Sequence, residues 1–226
     1  AFTEERFTVL FSSIAKKFTM DWHLFDNNKK DRIALLVSKT SHCLYELLLK
    51  HADGELDCEI PVIISNHPDL AHIATSFHIP FYKVDPAKGK DAYEADIQNI
   101  LEEYRIDLVV LARYMQVLGA KFCQKWESRI INIHHGFLPA FKGARPYHQA
   151  WQKGVKIIGA TGHFATEDLD QGPIIYQDII RVADTCSVNE FIRMGKDVER
   201  RVIVEAVRRY IQHSIFLHKG RTFVIE

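Results

Sequence analysis

Five continuous apolar runs recur along the chain: IALLVS from Ile33, PVIIS from Pro61, DLVVLA from Asp107, RIINIH from Arg129 and KIIGATGHF from Lys156. Apolar runs without polar alternation imply strands covered on both faces. Between them, SHCLYELLLKH, HPDLAHIATSF and KDAYEADIQNILEEY carry apolar residues at helical spacing. This alternation predicts an α/β, Rossmann-like fold with a mainly parallel central sheet flanked by helices, and ligands bind such sheets beyond the carboxyl ends of the strands. Toward the end, GPIIYQDIIRV reads as a further strand and Val188 to His213 as a long amphipathic helix. SIFLHKGRTFVIE reads as a closing hairpin that turns at Lys219 and Gly220.

Ahead of Ile33 the pattern differs. Phe7, Leu10, Phe11, Ile14 and Phe18 recur at helical spacing, and Met20, Trp22 and Leu24 then alternate with Asp21 and His23 as in a half-buried strand. The polar stretch DNNKKDR, Asp26 to Arg32, follows as a linker or long turn. One helix and one strand cannot make an independent core. The sequence starts at Ala1 rather than a methionine, so Ala1 is not taken as a biological terminus.

With 226 residues and 47% hydrophobic content, the chain can bury one main core without disulfides or metals. Its 29 basic and 29 acidic residues cancel, leaving no global field to gather nucleic acid or an anionic membrane, so a small molecule is the expected partner. Cys43, Cys58, Cys123 and Cys186 lie far apart, which argues against a zinc ribbon or redox dithiol and suits packed thiols in a reducing compartment. No run approaches the length of about 18 apolar residues that a membrane-spanning helix needs, and no secretory signal opens the sequence. The expectation is a soluble, cytoplasmic protein.

Asn132 and His134, two residues apart at the end of a strand, project from one face. An amide N–H beside an imidazole suits an oxygen that gains negative charge as a nucleophile adds to a carbonyl. On this triplet alone the plainer reading, an Asn capping a turn and a His satisfied in the core, is preferred. Downstream, GATGHFATEDLDQGPIIYQ places His163 in a strand and follows it with Glu167, Asp168 and Asp170. A carboxylate there could take a proton from water and return it to a leaving nitrogen, with His163 orienting it or tuning its acidity. Glu167 and Asp168 read more simply as solvated loop charges. For Asp170, close to a glycine that permits tight backbone approach, the two readings stand level.

Together, INIHHGFLPAFKGARPYHQA and GATGHFATEDLDQGPII, with VSKTSHCLYELL and LARYMQVL upstream, resemble the formyltransferase family, and within it most closely the branch that hydrolyses 10-formyltetrahydrofolate to formate and tetrahydrofolate. The resemblance runs from about Ile33 to the carboxyl terminus. It implies that Asn132 and His134 are the catalytic Asn-x-His, that Asp170 is the aspartate before Gly-Pro, and that His163 sits against that aspartate. It further implies that Met115, Gln116, Val117 and Leu118 line a pterin slot, whose other edge is closed by the loop containing Ala165, Thr166 and Glu167. In the implied mechanism Asp170 activates water, while Asn132 and protonated His134 stabilise the oxyanion. No metal or redox cofactor is called for. Residues 1–26 resemble the last two elements of an ACT regulatory domain, leaving 27–32 as linker and 33–226 as the formyltransferase-fold catalytic domain. A strand edge at Met20 to Leu24 would then be free to pair with another subunit, and a homo-oligomer is expected.

Related enzymes pass the formyl group to glycinamide ribonucleotide, to methionyl-tRNA or to amino sugars. The nucleotide transferases carry a glycine-rich phosphate loop after the first strand, but here that position reads Val37 to Cys43 without glycine. The tRNA enzyme shares FLPAFKGARP yet normally continues into a further domain. A competing reading from another class is a catalytically idle folate-binding module, which intact Asn132, His134 and Asp170 argue against. Gly136 stands where the hydrolases usually have serine, removing one hydroxyl near the site. His135, in place of the proline of many transferases, reads either as a residue that admits or holds water or as a histidine of the site's outer layer.

Overall fold

The computed structural model describes residues 3–26, 28–140 and 145–225. Phe141 to Ala144, within the FLPAFKGARP motif, lie outside the described residues. Strands β1 (Arg32–Val37), β2 (Glu59–Ser65), β3 (Phe81–Lys83), β4 (Leu108–Leu111), β5 (Ile130–His134), β6 (Ile157–Phe164) and β7 (Ile174–Arg181) form one sheet in the order β3-β2-β1-β4-β5-β6-β7. The pairings from β3 to β5 are parallel, whereas β5–β6 and β6–β7 are antiparallel. The mainly parallel Rossmann-like sheet therefore forms as expected.

Double coverage accounts for the unbroken apolar runs. In β1, Ile33, Leu35 and Val37 join one core, while Ala34 and Leu36 join the core on the opposite face. The first core is completed by α2 (His42–Ala52) and α7 (Val188–Ile211), and the second by α4 (Lys90–Glu103) and α5 (Ala120–Lys125). Both cores are packed tightly enough that truncating a fully buried Leu36 to Ala should cost about 2–5 kcal/mol. Helix α7 starts at a capping box in which the Ser187 side chain meets the Glu190 backbone and Glu190 reaches back to Ser187. Its buried stripe includes Phe191, Val198, Val202, Ile203 and Ala206, as its amphipathic pattern requires.

The remaining elements are short: α3 (Ala71–Ser76), α6 (Pro146–Gln152) and a hairpin of β8 (Ile215–His218) and β9 (Arg221–Val224). The hairpin turns at Lys219 and Gly220, both at positive φ, as a two-residue turn of this hand requires.

The amino-terminal expectation is met only in part. Helix α1 (Glu4–Lys17) forms, with Thr3 as its cap. Met20 to Leu24 form no strand, and Met20, Leu24 and Phe25 are exposed. Alternation alone does not make a strand: without a neighbouring strand the backbone groups have no ladder partner, so the segment stays irregular. The linker boundary also shifts, since Arg32 is already the first residue of β1 and its backbone N–H donates to Asp107 at 3.0 Å.

Candidate functional site

The chain crosses over between β1 and β4, where the strand order reverses, and their carboxyl ends open into a cavity of about 710 Å³. Loops from β1, β4, β5 and β6 and one side of α7 enclose it. One wall carries Met115, Gln116, Val117 and Leu118, and another carries Ala165, Thr166 and Glu167 through Asp170. Ser38 ties this end of the sheet together: its hydroxyl donates to Asn66 Oδ1 at 2.7 Å and accepts from the Met115 N–H at 2.9 Å.

Asn132 and His134 lie on one face of β5, opposite His163 and Thr161 of β6 in the antiparallel register. That register makes Asn132 and His163 direct neighbours, and Asn132 Nδ2 lies 3.1 Å from His163 Nε2. The tautomer follows from the second ring nitrogen. His163 Nδ1 faces the Phe164 carbonyl at 2.9 Å, an acceptor, so Nδ1 carries the proton and Nε2 accepts from the Asn132 amide. Burial holds the His163 imidazole below its ordinary range and so favours this neutral form. One Asn132 N–H is thus committed, which fixes the amide plane and leaves the second N–H for a ligand.

Asp170 sits in the loop joining β6 to β7. The loop is pinched at its base, where the Phe164 N–H donates to Pro173 O at 2.9 Å. Gly172 packs so tightly there that a Cβ would fall on the Phe164 carbonyl oxygen. Asp170 itself has φ 57° and a side chain only 8% exposed, with Oδ1 3.2 Å from His134 Nδ1. Burial alone would raise the carboxyl above its usual value, but the hydrogen bond and charge of His134 outweigh burial and bring it below that value. His163 Nε2 is 3.9 Å from the same oxygen. Both imidazoles thus face Asp170, His134 more closely, and His163 also orients Asn132, because the strand register puts His163 across from the amide. His134 Nε2 is buried with no hydrogen-bond partner among the described residues. A fixed amide, an unengaged imidazole nitrogen and an ionised carboxylate thus line one cavity. This set can stabilise an oxyanion and accept a proton from water.

Glu167 and Asp168 are exposed, as solvated loop residues would be, and Glu167 accepts from Gln124 Nε2 at 3.5 Å. Gly136 does not line the main cavity but a small neighbouring pocket beside His135, and a Cβ there would lie 3.0 Å from His134 Nε2. His135 does line the main cavity, where burial, reinforced by the charge of Arg113, pushes its imidazole down to about 3. Cys43 lies outside that lining, and burial pushes its thiol well above the usual range. All four cysteines are free.

The sequence reading did not single out one cluster. Glu199 of α7, 1% exposed, accepts from Tyr147 Oη at 2.7 Å, meets His42 Nε2 at 2.8 Å and lies 3.4 Å from Arg113 Nε. Burial would raise the Glu199 carboxyl, but these partners outweigh it and keep it below its usual value. His42, Cys43 and Glu199 approach one another closely enough to hold a metal ion. The Arg113 guanidinium already supplies positive charge to the same carboxylate, and Cys43 favours its thiol form, so the donor set does not suit a cation. Glu199 was legible in principle: it falls within the helical stripe of Phe191, Val198, Val202 and Ala206, where a solvated glutamate would not.

A family model described as formyl transferase matches residues 31–207. A formyltetrahydrofolate deformylase of Synechocystis is 49% identical over 215 residues, covering 95% of this chain and 75% of that protein. The crystal structure of a formyltetrahydrofolate deformylase from Pseudomonas syringae pv. tomato superposes with a TM-score of 0.96 at 42% identity, covering 100% of this chain and 76% of that one. A glycinamide ribonucleotide transformylase from Symbiobacterium toebii is more distant, at 0.85 and 29% identity, covering 91% of this chain and 99% of its own. Among the described residues, no helix is long and apolar enough to cross a membrane. With the family model spanning most of the chain, and with such similarity to proteins named formyltetrahydrofolate deformylase, the chain belongs to the formyl transferase family.

Proposed function

We propose that this chain hydrolyses 10-formyltetrahydrofolate to formate and tetrahydrofolate. The observation that carries the reading is the convergence of Asn132, His134 and Asp170 in one cavity of a chain 49% identical to a formyltetrahydrofolate deformylase. In the proposed reaction Asp170 takes a proton from water as the water oxygen adds to the formyl carbon. The free Asn132 N–H and His134 Nε2, in the imidazolium form with Nδ1 on Asp170, stabilise the oxyanion. The carbon–nitrogen bond then breaks with its electron pair going to N10, which receives the proton from Asp170, and the formic acid ionises. The walls at Met115 to Leu118 and Ala165 to Asp170 suit a flat heterocycle oriented by main-chain groups. The substrate is itself the folate, and the reading requires no metal or separate cofactor.

Formyl transfer to glycinamide ribonucleotide gains no support from the first loop. It lacks glycine, and the Ser38 hydroxyl that could meet a phosphate is already engaged by Asn66 and Met115. As part of the same proposal, residues 1–26 are the end of an ACT-like unit, and a homo-oligomer uses the apolar side chains that α1 exposes, among them Val9, Leu10 and Ile14. The unpaired strand edge first expected at Met20 to Leu24 no longer contributes to that argument. A cytoplasmic location completes the reading and accords with four free cysteines. The test is formate release from 10-formyltetrahydrofolate by purified protein, with and without glycinamide ribonucleotide. Formate release unaffected by the nucleotide is expected, and formylated nucleotide at a rivalling rate would overturn the hydrolase reading.

A further inference from the structure

Arg113 is the least explained residue of the cavity. It occupies the left-handed region at φ 65°, an uncommon conformation for a long side chain. Strain of this kind persists where surrounding contacts over-determine it. Here the guanidinium is drawn into the cavity wall, 14% exposed, with Nε 3.4 Å from the buried Glu199 carboxylate. Glu199 is in turn fixed by Tyr147 and His42. Tyr147 is seated against α7 at Gly195, where a Cβ would collide with its ring, so the anchor is built from three helices, α2, α6 and α7. The Tyr147 ring leads back to the reacting face, lying 6.0 Å from His135, which lies 5.4 Å from His134. The ion pair therefore occupies part of the same cavity as Asn132 and His134, beside the Met115 to Leu118 wall.

We propose that Arg113, tethered by Glu199, determines the nucleophile: it fills the space an amine would need to approach the formyl carbon and leaves room for water. This rests on the hydrolase reading above. Charge acts in the same direction as volume, because a fixed guanidinium repels an ammonium ion, while the Glu199 carboxylate that could attract one is already neutralised. With the pair removed, an uncharged amine could enter. Its nitrogen would add to the formyl carbon, the bond to N10 would break with its electrons going to N10, and the proton lost by the amine would be taken up by N10.

Arg113→Gly is the decisive variant, since glycine adopts φ 65° freely and the substitution removes only the side chain. Glu199→Gln keeps the shape but releases the guanidinium. Wild type and both variants are given 10-formyltetrahydrofolate with and without hydroxylamine, an amine largely uncharged at neutral pH, and formate and formohydroxamate are measured against an enzyme-free control. The ratio of formohydroxamate to formate should rise at least about tenfold in Arg113→Gly, the order by which pocket shape discriminates between similar reactants, and should rise to a smaller extent in Glu199→Gln. A purely structural role would lower both products together. An unchanged ratio in a folded variant overturns the proposal, and so does failure of both variants to fold, which would make the pair a structural brace. If Arg113→Gly alone fails to fold, the ratio in Glu199→Gln decides. Wild-type protein that releases no formate would instead refute the hydrolase reading itself.

Discussion

His135 gives a quantitative test of the cavity's electrostatics. Burial, then the charge of Arg113, lower its imidazole from 6.5 to about 3, so the folded protein keeps it neutral over a range in which the unfolded chain protonates it. Between those two values the unfolded state binds more protons, and stability must fall as pH falls. Each pH unit below 6.5 costs about 1.4 kcal/mol, so descending to about pH 5 removes about 2 kcal/mol through this residue alone. The perturbation is His135→Asn, which keeps a polar side chain but cannot titrate. Urea unfolding followed by tryptophan fluorescence at a series of pH values gives the two stability curves. Other groups, including His163, whose imidazole burial also lowers, remain in both proteins and cancel in the difference. Wild type should lose about 2 kcal/mol more than the variant between pH 6.5 and about pH 5. Parallel curves would refute the argument, because His135 would then titrate alike in the folded and unfolded states.

Three further outcomes follow from contacts at the site. Asn132→Ala should lower the turnover rate by roughly 100-fold or more while altering folate affinity little, because the lost donor acts on the oxyanion; steady-state kinetics with equilibrium binding checks this. Gly172→Ala places a methyl group on the Phe164 carbonyl oxygen, so the loop carrying Asp170 must shift, with a stability loss of about 1–3 kcal/mol and a fall in turnover, read by thermal unfolding and formate release. Glycinamide ribonucleotide should neither divert formyl groups nor compete with folate, since the Ser38 hydroxyl is already engaged at both its donor and acceptor roles. Isotope-labelled formyl transfer measures it.

The legible parts of this molecule are those governed by local periodicity. Strands β1, β2, β4, β5 and β6 announce themselves as continuous apolar runs, because both sheet faces are covered and few positions need to be polar. Strand β3 is three residues long, and α5 and α6 are six and seven, too short for a period to emerge. Met20 to Leu24 shows the converse, with alternation present but no neighbouring strand to pair with. At the site, the role of Asp170 rested on the resemblance to the formyltransferase family, whereas the common face of Asn132 and His134 was legible from their two-residue spacing. The partner of His163 was not, because it depends on which residue of β5 lies opposite in the antiparallel register. The Glu199 cluster was hidden for a related reason: His42 and Glu199 are separated by 157 positions, and a glutamate among the charges of KDVERR looks solvated until its helical stripe is drawn.

The central claim is that Asp170 carries the proton of the attacking water, and Asp170→Asn tests it most directly. The amide keeps the size of the side chain and a hydrogen bond with His134 but cannot accept that proton. Single-turnover formate release, measured beside folate binding, should fall by roughly 100-fold to 10,000-fold with binding retained. Asp168→Asn, altering an exposed neighbour, should retain substantial activity. Wild-type turnover in Asp170→Asn, above all with Asp168→Asn inactive, would contradict the account and place the base elsewhere in the loop.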